Sequence, residues 1–232
     1  MKVCGESVKK ILVFLIIVMT IGCSSNKEMG KDEIMEVKPS KLPKVEAFQD
    51  EYTRKYMYST KEVEEGYYLF ESDTKKYTMN FPENGVVRDQ IRSKDNRSES
   101  VNFVFHYSDN SLSEYNYRLV FFLKPLEDEE KAIDKMQVYP DVDFDYNKDM
   151  RKVETEDRII YHNLIRRDLD NGGIELHLMG VIESKRIPQV IAFNAKLGIF
   201  SEEDLFSGPI LDKASNEILE LVKTVEFRNQ TE

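Results

Sequence analysis

Apolar and polar positions alternate most strictly between residues 101 and 123. Val101, Phe103, Phe105 and Tyr107 take every second place, with Asn102, Val104 and His106 between them. Tyr115, Tyr117, Leu119, Phe121 and Leu123 then alternate with Asn116, Arg118, Val120, Phe122 and Lys124. Period two, carried by β-branched and aromatic residues, predicts two half-buried antiparallel strands. Asp109, Asn110 and Ser111 fall in the loop between them. Shorter apolar runs at 67–70 and 77–81 predict two earlier strands joined through 71–76, and Pro82, Asn84 and Gly85 close the second. Residues 158–167 and 174–183 flank an Asn171-Gly172 pair, which favours a two-residue hairpin turn because both positions need positive φ. Residues 189–195 predict one more strand.

Helical spacing is rarer. Val45, Phe48, Tyr52 and Tyr56 recur at intervals of three and four, predicting a first helix. Residues 127–137 carry four acids in their first turn, where the helix dipole favours negative charge. Ser201-Glu202-Glu203-Asp204 has the form of a capping box. Gly208-Pro209 opens a last helix with Leu211, Ala214, Ile218, Leu221 and Val222 on one face, followed by a short strand at 225–227. Strands and helices occur in blocks rather than in alternation. The expected class is therefore α+β, an antiparallel sheet of about six or seven strands with helices packed on it.

Two stretches resemble a known fold. Gly66-Tyr67 leading to Tyr77-Thr78-Met79-Asn80-Phe81-Pro82, and the C-terminal Ile218-Leu219-Glu220-Leu221-Val222-Lys223-Thr224-Val225-Glu226-Phe227, are similar to the PsbP-like fold. The resemblance implies an α-β-α sandwich used as a binding or assembly module. It carries no catalytic motif.

The N-terminus changes the picture. Lys2, Lys9 and Lys10 precede an apolar run at 11–21 interrupted only by Thr20. Eleven helical residues reach about 16 Å, short of a hydrocarbon core of about 30 Å. A basic region, a short apolar region and a small residue form a secretory leader. Its end, Thr20-Ile21-Gly22-Cys23-Ser24-Ser25, resembles the lipobox of bacterial lipoprotein precursors, with Thr20 where that family usually has Leu or a similar aliphatic. The resemblance implies cleavage between Gly22 and Cys23 and a diacylglycerol on the Cys23 sulfur, with palmitate among the acyl chains. Cys4 leaves with the leader, so no thiol remains for a disulfide or a cysteine nucleophile. The organisation expected is a leader at 1–22, the lipidated Cys and a flexible tether at 23–45, one domain at 46–228 and a tail at 229–232. The tether reading rests on Pro39, Pro43, Gly30 and the serines, with five Lys against four acids over 24–44.

The full chain has 232 residues and a formal charge of −10. Loss of the leader leaves 30 basic against 42 acidic side chains, a balance of −12. Such a domain is repelled by nucleic acid and by anionic headgroups, and no basic run longer than Arg166-Arg167 offsets either.

Motifs that carry chemistry are sparse. The chain has no G-x-S-x-G, H-E-x-x-H, P-loop or G-x-G-x-x-G motif. His106, His162 and His177 fall on three predicted strands. With Asn171-Gly172 at the turn, residue 162 faces residue 181, so His162 and His177 share a face about 13 Å apart, too far for one zinc ion. His106 lies elsewhere and can approach either. Asp141, Asp143, Asp145, Asn147 and Asp149 match the oxygen spacing of an EF-hand loop, but Tyr146 stands where that loop needs Gly and Lys152 where it needs Glu. The plain alternative is an acidic edge with Val142, Phe144 and Tyr146 packed inward. Asp168, Asp170 and Glu175 form a second acidic group. Tyr107, Tyr115 and Tyr117 are either core or a sugar- or peptide-binding face.

The expectation is therefore a non-catalytic binding or accessory module, held on the extracytoplasmic face of the cell membrane by lipid on Cys23. Its partner would be an envelope protein or cell-surface ligand. No cofactor is expected and no metal is assigned. A surface hydrolase using carboxylates and a calcium-responsive module are the alternatives.

Overall fold

The computed structural model describes residues 28–109, 113–125, 150–170, 174–200 and 209–229. Their first strands are β1 (Met57–Glu64), β2 (Tyr67–Glu71), β3 (Tyr77–Pro82) and β4 (Gly85–Arg92), with β5 (Glu99–Asp109) and β6 (Ser113–Pro125) following. Beyond them come β7 (Arg151–Glu154), β8 (Arg158–Asp168), β9 (Ile174–Ser184), β10 (Gln189–Phe200) and β11 (Glu226–Phe227). Three short helices lie near the start: α1 (Lys31–Glu36), α2 (Glu46–Gln49) and α3 (Glu51–Arg54). One longer helix, α4 (Pro209–Lys223), precedes β11.

The strands form two antiparallel sheets, one in the order β1-β2-β3-β11 and the other β4-β5-β6-β10-β9-β8-β7. The described fold is thus mainly β with a few helices. One sheet of six or seven strands was expected; the chain forms a second because β1, β2, β3 and β11 pair among themselves. Aromatic rings join the two. Phe70 of β2 meets Phe103 of β5 edge-on at 5.3 Å, Phe81 of β3 lies 5.6 Å from Phe105, and Tyr77 lies 6.0 Å from Phe121 of β6. These rings are fully buried or nearly so, and truncating one to Ala would cost about 3–5 kcal/mol. The period-two reading of β5 and β6 holds: Val101, Phe103, Phe105, Phe121 and Leu123 all face this core.

A buried carboxylate fixes the same junction. Glu99, at the start of β5, accepts the backbone N–H groups of Asp73 and Thr74 at 3.1 Å each, and the Thr74 hydroxyl at 2.6 Å. The turn between β2 and β3 is thereby clamped to the larger sheet. Helix α4 buries Ile218, Leu221 and Val222 in the core. Its C-terminal carbonyl at Lys223 accepts from Arg158 Nη1 at 3.0 Å, and Asp157 grips that guanidinium with both carboxylate oxygens at 2.9 Å. A cation at this end complements the helix dipole.

Two local expectations need correction. The single helix expected over 45–56 is two turns, because the Asp50 side chain caps α3 by accepting from Thr53 N at 2.7 Å. That cap starts a new helix and ends the old one. The tether expected to reach residue 45 is in fact part of the domain from residue 28. Ile34 and Leu42 are buried in the core, Met29 and Thr60 exchange hydrogen bonds of 3.0 and 2.9 Å, and Gly30 pairs with Ser59 of β1. Few apolar residues suffice to order this stretch because Ile34 and Leu42 are both buried in the shared core. Lys31 also donates to Glu71 at 2.6 Å, and Arg228 donates to the other oxygen of that carboxylate at 3.0 Å. One buried acid thus holds both ends of the described chain.

Candidate functional site

Strand register decides which side chains meet. The β8–β9 pairing runs from Asp168↔Ile174 through His162↔Gly180 to Arg158↔Ser184. That is one residue away from the register a two-residue turn at Asn171-Gly172 would give, and a slip of one transfers a side chain to the opposite face. His162 therefore shares the core face with the buried Ile160, while His177, opposite Ile165, lies on the outer face. The two were expected to share a face; they are separated by the sheet itself.

His162 is buried beside two cations. Burial first, then the charges of Arg151 on β7 and Lys223 on α4, hold its imidazole below the ordinary histidine value. The unfolded chain thus takes up a proton near pH 6.5 that the folded chain resists. This contribution to stability is full above about pH 6.5 and is lost as pH falls through the lower folded-state value. Between about pH 7 and pH 5 the urea midpoint of wild type should fall more steeply than that of His162→Gln. Parallel slopes would show that the ring titrates as freely as in the unfolded chain.

On the outer face, register brings four polar groups of β9 and β10 together. Lys196 stands opposite His177, and Asn194 opposite Met179. His177 Nδ1 lies 3.1 Å from Asn194 Oδ1, and its Nε2 lies 3.3 Å from Glu175 Oε2. Lys196 Nζ donates to the other Glu175 oxygen. That ammonium lowers the Glu175 carboxyl below the ordinary value; burial opposes the shift, and His177 adds to it. Each polar group is engaged by another, so the cluster fixes the pairing of β9 and β10 rather than presenting a free base. The spacing of Glu175 and His177 on one strand was visible in the sequence. Their meeting with Asn194 and Lys196 depends on the β9–β10 register, which no local pattern encodes.

An open cleft of about 240 Å³ lies where β4, β5 and β6 end. Ile91 and Leu123 give it apolar walls, Ser98 and Ser100 contribute hydroxyl-bearing residues, and Arg92 and Lys124 contribute cationic ones. Arg92 is held by Asp73 at 3.2 Å, and Glu99 is spent on the clamp described above. The cleft is suited to a small apolar group with an acidic neighbour.

The remaining sequence candidates are scattered. Gly22, Cys23, Asp141, Asp143, Asp145, Asn147 and Asp149 lie outside the described residues. His106 is opposite Asn116, and Tyr107 opposite Tyr115, in the β5–β6 register, while Tyr117 faces Phe105. Asp168 binds Arg166 at 2.9 Å, whereas Glu175 turns to Lys196, so that acidic group is divided between separate partners. Among the described residues no three His, Cys, Asp or Glu side chains are placed to hold a metal ion. No helix among them is long and apolar enough to cross a membrane.

Comparison with known proteins places the chain. A family model described as "Putative lipoprotein YvcA" matches residues 43–226, an interval from just before α2 to the first residue of β11. A curated protein of Bacillus subtilis (strain 168), itself named "Putative lipoprotein YvcA", is 43% identical over 99 residues. That alignment takes in 38% of this chain and 41% of the relative, so the match spans about two fifths of the relative's length.

Proposed function

Because this chain belongs to the family described as "Putative lipoprotein YvcA", we propose that it is a bacterial lipoprotein anchored through Cys23 on the extracytoplasmic face of the cell membrane. Its β-rich domain would act there as a non-catalytic binding module for an envelope protein or cell-surface component. One observation carries this reading: Thr20-Ile21-Gly22-Cys23 closes a basic and then apolar stretch, in a chain whose residues 43–226 match a family described as a putative lipoprotein. Residues 1–22 are the leader in this reading, and the tether shrinks to residues 23–27. The cleft beside Ile91 and Lys124 is the proposed ligand contact. Lys124 on its rim, beside an Arg92 already paired with Asp73, favours an acidic group on the partner.

The PsbP-like reading of the architecture has two supports. The β2–β3 hairpin ends in Phe81-Pro82, and α4 runs almost directly into β11, which pairs with β3. Mass spectrometry of the native protein tests the anchor. It should find Cys23 as the first residue, carrying a diacylglycerol mass on its sulfur. A bare thiol, or a retained leader, overturns the proposal.

A further inference from the structure

The tether is too short to hold the domain clear of the membrane. Only Ser24, Ser25, Asn26 and Lys27 separate Cys23 from Glu28. From Met29 onward the chain is fastened to β1, through the Met29–Thr60 hydrogen bonds and the Gly30–Ser59 pair. The six residue steps from Cys23 to Met29 reach at most about 22 Å. With its lipid in the bilayer, Cys23 therefore keeps the Met29–Gly30 end of the α1–β1 edge within about 22 Å of the headgroups.

That edge is also where apolar side chains are left exposed. Six large hydrophobic residues are exposed among the described residues, and three of them, Met35, Tyr58 and Val63, belong to α1 and β1. Tyr58 adjoins Ser59, the residue that receives Gly30. An amphipathic tyrosine suits a membrane–water interface, and the Arg228 guanidinium lies over its ring at 5.3 Å. We propose that the α1–β1 edge, through Met35, Tyr58 and Val63, rests against the phospholipid headgroup layer that holds the Cys23 lipid. This inference rests on the anchor reading above.

Charge sets the depth of the contact. Asp32, Glu36, Glu62 and Glu64 lie near Met35 and Val63 in sequence and are exposed. They oppose anionic lipid, so the contact is shallow and salt-dependent. A weak contact is enough, because the lipid anchor raises the local concentration of the surface to the millimolar range.

The acylated Cys23 would be the sole cysteine of the mature chain, so single labels are clean. Full-length lipidated Met35→Cys and Val63→Cys variants, each carrying a fluorophore, are reconstituted in phosphatidylcholine vesicles containing a headgroup nitroxide quencher. Leu164→Cys serves as control, since Leu164 is an exposed apolar residue on β8 of the other sheet. We expect quenching at 35 and 63 to be several-fold greater than at 164. A Gly-Ser spacer inserted after Asn26 should lower it to the control level while the protein still floats with vesicles. Vesicles made half of phosphatidylglycerol should weaken the quenching, and added salt should restore it. Equal quenching at all three positions, in protein that floats and has an acylated Cys23, overturns the docking surface alone. Undiminished quenching with the spacer overturns the role of the short link, and stronger quenching on phosphatidylglycerol overturns the apolar basis. Failure to float, with Cys23 bare, overturns the anchor and the docking together.

Discussion

Gly180→Ala should destabilise the domain by about 3 kcal/mol or more, the upper range for overpacking a filled core. Gly180 sits in the middle of β9, paired on one side with His162 and on the other with Phe193. A Cβ there would lie 2.2 Å from the Tyr161 carbonyl oxygen and 2.3 Å from the Phe193 ring. The ring can turn away at some cost in packing. The oxygen cannot, because Tyr161 belongs to the ladder between β8 and β9. The double variant Gly180→Ala with Phe193→Leu should therefore recover only part of the loss. Two other glycines calibrate the effect. Gly30 has nothing within 4 Å of an added Cβ, so Ala there should be close to neutral. Gly66 has room but sits at φ +75, where an L side chain costs about 1 kcal/mol. Urea midpoints should be lowest for Gly180→Ala, intermediate for Gly66→Ala and highest for Gly30→Ala. A Gly180→Ala midpoint equal to that of Gly30→Ala would mean that the sheet opens at Tyr161 without penalty.

The strands that sequence pattern revealed and those it missed differ in one physical respect. β5, β6, β8 and β9 lie inside the larger sheet and bury alternate residues, among them Val101, Phe103 and Phe105, Phe121 and Leu123, Ile160 and His162, and Leu176 and Leu178, so their sequences alternate. The missed strands β1, β4 and β7 are all edges of their sheets. β1 is buried only at Met57, β4 only at Gly85, Val86 and Val87, and β7 nowhere. Beyond those positions they carry residues such as Lys61, Glu62, Arg88, Asp89 and Lys152, which discourage pairing with a second chain. Charges that protect an edge also erase its period-two signature. The helix expected over 45–56 fails for a different reason: Asp50 is a better cap than a helix interior residue.

The candidate sites divide along the same line. The proposed lipidation motif is contiguous, so a proposal about it can be read from the string alone. The cluster of Glu175, His177, Asn194 and Lys196 exists only after β9 and β10 are aligned, and the two histidines part company because a register shifts by one residue. The ordering of residues 28–45 was hidden because Ile34 and Leu42 are isolated in a polar stretch; their burial is supplied by surfaces elsewhere in the chain.

Cys23→Ala should abolish membrane retention of the mature domain while leaving its fold intact. Each buried methylene contributes about 0.8 kcal/mol, and one acyl chain holds a protein only marginally where two hold it firmly. Alanine offers no sulfur to acylate, so the variant should be found as a soluble chain or as an uncut precursor still bearing residues 1–22. Intact mass distinguishes these outcomes. The unfolding free energy of the variant's domain, from urea titration, should match wild type within about 0.5 kcal/mol, as for a surface change, because the packed segment begins at residue 28 and is held by Ile34, Leu42 and the Lys31–Glu71 contact. A mature-length variant that still fractionated with membranes would show that something other than the Cys23 lipid holds the protein. Wild-type protein found at the membrane with Cys23 already bare would show the same without any substitution.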